Sequence, residues 1–217
     1  MALYNKDKTN DIVNYSPPWL QTAYQEALKF SGRNPADDPI LKNIVSYYYH
    51  GYGAGYVQYA NWCAAFVSFC LKKGGLDLGE FKGTACSQDF LNNPYFVNVS
   101  YPIYGCIAVW TNRDETRFGH VAFAIGKGKS KKDNSFNKSI IALGGNQSNT
   151  IKFSAFPGPE SDNSKDVLHF SGFLIPRDYS IKNDITMPLK KMVWSDFINL
   201  NHEISPSLHS HICDTTT

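Results

Sequence analysis

The order of periodicities along the chain predicts an α+β fold. Apolar residues recur at helical spacing up to Leu91, and short apolar or alternating runs take over from Cys106 to Ile175. Composition agrees with one packed core: of 217 residues, 42% are apolar and 14% aromatic, with 13 Tyr and 14 Phe. That content excludes a disordered chain, and a fold of this length buries roughly 70% of its unfolded surface without staples. The expected architecture is a set of N-terminal helices packed on an antiparallel sheet of about five strands.

Residues 1–15 are polar and read as a flexible N-terminus. Ser16-Pro17-Pro18 opens the first helix, with Ser16 as N-cap and Pro17 at the first helical position. Trp19, Leu20, Ala23, Ala27 and Phe30 mark its buried face, and Ser31-Gly32 stops it. A second helix is expected over Ile40 to Tyr49, followed by a Gly/Tyr-rich loop from Gly51 to Tyr59. Trp62 to Lys72 is a dense apolar helix closed by Gly74-Gly75, and Ser87 to Leu91 a short one. Strands are expected over Cys106–Trp110, His120–Ile125, Ser139–Leu143, Thr150–Phe156 and Val167–Ile175. The connection Lys127 to Lys138 carries five lysines and reads as a solvated hairpin tip, with contact to an anionic polymer as the alternative. From Arg177 on the strands stop, and Met192 to Ile198 forms one short amphipathic helix. The domains are thus a 1–15 terminus, a 16–177 folded unit and a 178–217 extension.

A net charge of +2 is too mild for a nucleic-acid binder. No apolar run approaches the ~18 residues that span a bilayer. The first ten residues lack the apolar region of a signal peptide, so the expectation is synthesis in the cytoplasm without the general secretory route. The five cysteines are odd in number and form no C-x-x-C pair, which suggests neither a disulfide framework nor a zinc ribbon. His209, His211 and Cys213 in the tail lack a fourth ligand. No metal or cofactor is expected.

The chemistry is expected at Cys63, which opens the helix after Asn61-Trp62. A helix N-terminus presents unpaired N–H groups and the positive end of the dipole. It favours the thiolate and can stabilise an oxyanion. On position alone Cys63 is also readable as a small buried hydrophobe. Cys70 sits among Phe66, Val67, Phe69 and Leu71 as core, and Cys86 and Cys106 read as structural. A thiol nucleophile needs a base and an orienting group. His120 follows Gly119 at the mouth of the run Val121 to Ile125. Asn146 follows the next strand in Gly144-Gly145-Asn146-Gln147. Its oxygen can accept the imidazole N–H, or it can be a turn residue only.

Three ordered blocks, Asn61-Trp62-Cys63-Ala64-Ala65-Phe66-Val67, Gly119-His120-Val121-Ala122-Phe123 and Leu143-Gly144-Gly145-Asn146-Gln147, resemble the CHAP branch of the NlpC/P60 cysteine peptidases. Pro18-Trp19 and the run Gly172 to Arg177 fit the same pattern, so the resemblance spans about residues 16 to 177. It implies a papain-like fold, with the cysteine on the helical part and the histidine on the sheet. It also implies hydrolysis of peptidoglycan amide bonds, with Cys63 as nucleophile, His120 as base then acid, and Asn146 as the orienting residue. Gln147 is the rival for that third place. Asn61 and Tyr59 are candidates for the oxyanion or substrate site. Where the family often has Pro-Gly-Asp, this chain has Tyr104-Gly105-Cys106. The implied partners are the peptidoglycan stem peptide and a cognate immunity protein. The implied setting is the periplasm or cell wall, reached by specialised export or lysis, as a delivered antibacterial effector or a phage-type lysin. The alternatives are a papain-like protease or acyltransferase, and a catalytically idle module that binds wall peptides or a partner.

Overall fold

The computed structural model describes residues 16–34, 45–46, 48, 61–77, 79, 81, 83–128, 136, 138–161, 166–182 and 188–204. The fold is α+β, as the periodicities predict. Helix α1 (Pro18–Phe30) and helix α2 (Cys63–Lys73) precede a four-residue 3-10 turn at Ser87–Phe90. The strands follow: β1 (Phe96–Asn98), β2 (Ile107–Asn112), β3 (Gly119–Gly128), β4 (Ser139–Gly144), β5 (Lys152–Pro157) and β6 (Leu168–Pro176). A short α3 (Arg177–Lys182), strand β7 (Lys190–Met192) and α4 (Trp194–Ile204) close the described chain.

Among the described residues the sheet has seven strands in the order β1-β6-β2-β3-β4-β5, with β7 paired to β3. All pairs are antiparallel except β3 with β7. Two strands exceed the sequence expectation. β1 and β7 are three residues long, too short for a period of two to register, and only pairing defines them. The strands therefore do not stop at Arg177. Within residues 178–217, read as an extension, Lys190–Met192 joins the same sheet. Asn201 on α4 donates to the Phe153 carbonyl (3.1 Å) and accepts from its N–H (2.9 Å), satisfying the outer edge of β5 at that residue.

Side-chain alternation divides the core into two faces. Ile107, Val109, Val121, Phe123, Ile125 and Leu143 meet α1 and α2 on one face. Ala108, Trp110, Ala122, Ala124, Ile140 and Phe173 form the other. Burial on both faces explains why β3 reads as a continuous apolar run rather than an alternating one.

α1 begins one residue later than expected. Pro17, not Ser16, is the N-cap, and no side chain caps the helix. Pro18 takes the first position, where its missing N–H costs nothing. Trp19 locks α1 to the loop before β2 by donating from Nε1 to the Gly105 carbonyl at 2.7 Å. Gly105 has φ +81, and a Cβ there would lie 2.9 Å from the Pro17 ring, so a glycine serves this turn. Of the second expected helix, only Val45, Ser46 and Tyr48 are described, all helical. Most of the lysine-rich connection, the Gly51–Tyr59 loop and the tail with His209, His211 and Cys213 lie outside the described residues.

Candidate active site

Cys63 is the first residue of α2, with Trp62 as its N-cap. Among the described residues no acidic side chain lies in the first turn and the N-cap residue Trp62 makes no side-chain cap, so the N–H groups remain available to the sulfur. The backbone N–H groups of Val121, Ala64 and Cys63 itself lie toward the thiol and favour its charged form. Val121 can serve because β4 leaves β3 early. Their register ends at Phe123↔Leu143, and two residues on, the Cys63 sulfur takes the place a strand partner would hold. Gly145 makes this possible. A Cβ there would lie 2.5 Å from the Trp62 ring and 2.8 Å from Phe66 Cβ, so only a glycine lets the turn after β4 seat directly on the start of α2.

His120 stands opposite Trp110 in the β2–β3 register. Its ring stacks on Phe156 (centroids 4.6 Å apart, 26° between planes) and lies 5.9 Å from Trp110. Trp110 is itself anchored by Nε1 donating to the Pro157 carbonyl at 2.7 Å. The polar partner of His120 is Gln147, with Oε1 3.2 Å from Nε2. The expected orienting contact from Asn146 is thus made by the next residue. Asn146 adopts φ +58, the left-handed conformation that asparagine tolerates better than most residues. That bend turns the following side chain inward, and Gln147 is 3% exposed.

The Gln147 amide has one workable orientation. Its Nε2 donates to the carbonyls of Ala142 (3.3 Å) and Lys152. A flipped amide would set its oxygen against two carbonyl oxygens. Oε1 therefore faces His120, and the imidazole must donate from Nε2. The proton sits on Nε2 and the lone pair on Nδ1, which is the tautomer that leaves Nδ1 as a base.

Burial dominates the electrostatics. His120 is held down to about 4, chiefly because its charged form would be desolvated, with the Gln147 hydrogen bond opposing. Burial pushes the Cys63 thiol up to about 11, against three N–H groups that lower it. This reverses the expectation that the helix start yields a thiolate. The cysteine is 5% exposed, and removal of solvent outweighs the partial charges of the helix end. The resting pair is neutral thiol and neutral imidazole, and among the described residues no hydrogen bond joins the two.

Cys70 and Cys106 are fully buried, whereas Cys86 is half-buried with its sulfur 3.6 Å from the Arg117 carbonyl. Asn61 is exposed beside the start of α2. Tyr59 lies outside the described residues. The aromatic clamp of Trp110 and Phe156 was not legible by spacing. Its only sequence signal is that both are aromatic residues in strands near the histidine, and register decides which ones meet it. No family model, no curated protein and no solved structure matches the chain.

Proposed function

We propose that this chain is a cysteine-dependent hydrolase that cleaves amide bonds of bacterial peptidoglycan, on a papain-like fold like that of the CHAP-type peptidases it resembles. The observation that carries the reading is the Gln147–His120 hydrogen bond, with an amide orientation that leaves Nδ1 of a neutral imidazole unprotonated. A cysteine at a helix start, with backbone N–H groups that favour its charged form, supplies the complementary half.

Because both groups rest neutral, the reaction starts by general-base catalysis rather than from a preformed ion pair. The Cys63 proton passes to His120 Nδ1 as the sulfur bonds to the carbonyl carbon of the stem peptide. The N–H groups of Cys63 and Ala64 receive the oxyanion. The C–N bond breaks as His120 protonates the leaving amine. Water, deprotonated by His120, then hydrolyses the thioester and restores the thiol. The setting that fits is the periplasm or wall, with the chain acting as a delivered effector or a lysin, and an immunity protein as the natural antagonist of the former.

The test is digestion of purified peptidoglycan, with products identified by mass. Release of new amine and carboxyl ends by the wild type, lost in Cys63→Ala and His120→Ala proteins of unchanged circular dichroism, is the expected result. Equal activity in the Cys63→Ala protein would sink the cysteine mechanism. Binding to peptidoglycan without cleavage would favour the idle module.

A further inference from the structure

The end of the sheet far from Cys63 has its own chemistry. β7 runs parallel to β3 and sets Lys190 beside Gly126 and Lys191 beside Lys127. Lys138 immediately precedes Ser139, which pairs with Gly128. Three separate segments thus collect four lysines at one end of the sheet. Lys190 and Lys191 are exposed, each with Nζ over an aromatic ring, Tyr104 at 5.8 Å and Phe136 at 5.6 Å.

The chain passes directly from these lysines into an outward apolar group. Val193, Trp194 and Ile198 are 41%, 55% and 38% exposed, while Leu200 and Ile204 of the same helix are buried. Trp194 and Ile198 are four residues apart and so share one side of α4. The other three tryptophans, Trp19, Trp62 and Trp110, are fully buried, which makes the exposure of Trp194 specific to this surface. Asp196 is the one acidic residue between Pro188 and His202, and its carboxylate accepts the Val193 N–H at 3.0 Å.

We propose that this end of the molecule docks peripherally on an anionic lipid bilayer. Trp194, Val193 and Ile198 enter the headgroup boundary, where tryptophan is favoured, and the exposed Lys190 and Lys191 face the anionic headgroups, with Lys127 and Lys138 adding to the positive charge of that end. An apolar group of this kind could instead seat a second copy of the chain. The lysines beside it decide against that, because a two-fold contact would bring the same positive groups toward one another. Seven residues of strand separate His120 from Lys127, about 23 Å. A docked molecule therefore keeps its candidate active site clear of the headgroups.

The test is co-sedimentation of the full chain with large unilamellar vesicles, either of phosphatidylcholine alone or of equal parts phosphatidylcholine and phosphatidylglycerol. The expected result is binding to the mixed vesicles only, released by high salt, with a blue shift of tryptophan emission. Lys190→Gln with Lys191→Gln should weaken partitioning on the order of 20-fold, and Lys190→Arg with Lys191→Arg should restore it. Trp194→Ser with Ile198→Ser should remove the emission shift while circular dichroism is unchanged. Failure to bind mixed vesicles, binding indifferent to both sets of variants, or Trp194-dependent self-association without lipid would overturn the proposal. The Cys63→Ala protein should bind vesicles as the wild type does, so the outcome is independent of the hydrolase reading.

Discussion

Gln147 and His120 are joined through Oε1 and Nε2 at 3.2 Å, and the rest of the Gln147 amide is committed to two backbone carbonyls. One side chain therefore ties together the end of β4, the start of β5 and the imidazole on β3. It sets the histidine tautomer without adding a charge. Asn146 contributes the backbone bend that delivers it.

Gln147→Ala should lower kcat on the order of 10–1000-fold, because the imidazole loses its tautomer control while Cys63 and the N–H groups remain. Asn146→Ala should leave kcat nearly unchanged and cost about 1–2 kcal/mol of stability, from a left-handed backbone that alanine tolerates poorly. Gln147→Glu should destabilise the fold further, since a carboxylate cannot donate to the Ala142 and Lys152 carbonyls. Turnover of peptidoglycan together with denaturant titration separates these effects. A larger loss of kcat in Asn146→Ala than in Gln147→Ala would reverse the assignment.

Acid should destabilise the protein through His120. Its value in the fold is about 4 against an ordinary 6.5, so the unfolded chain binds the proton first as pH falls. The contribution is complete above about pH 6.5 and is lost progressively toward pH 4, amounting to about 2–3 kcal/mol by pH 4.5. Urea titrations at pH 7 and 4.5 on wild type and His120→Gln should differ by that amount. The same neutrality should keep the acid limb of kcat/KM below the usual histidine range. Alkylation of Cys63 by iodoacetamide should keep accelerating toward pH 11 rather than levelling near the ~8.5 of a free thiol.

Gly145→Ala should cost about 1–3 kcal/mol and also depress activity, because the added methyl meets the Trp62 ring at 2.5 Å and Trp62 carries Cys63 behind it. Gly75→Ala is the control. It has φ +79 but open space around it, so it should cost about 1 kcal/mol of backbone strain with activity intact. Thermal melts and turnover on the pair distinguish a displaced site from a merely weakened fold.

The α+β class, the five longer strands within one or two residues at most ends, and the positions of Cys63 at a helix start and His120 at a strand mouth are legible in the amino-acid sequence. Those features are local: a period, a cap, a glycine, a run of apolar residues. The sequence also offered both Asn146 and Gln147 as the partner of His120 without separating them. The fold shows that the side chain bonded to His120 is that of Gln147. A one-residue difference in a turn is settled by a positive φ and by which carbonyls lie within reach, and neither is written in spacing. Burial was the other decision left to the fold. The helix start argues for a thiolate, but the packing of Trp62, Gly145 and β3 around Cys63 removes the water that would stabilise one. β1 and β7 likewise exist only as partners of longer strands, and through β7 the lysines and the exposed Trp194 come to share one end of the sheet.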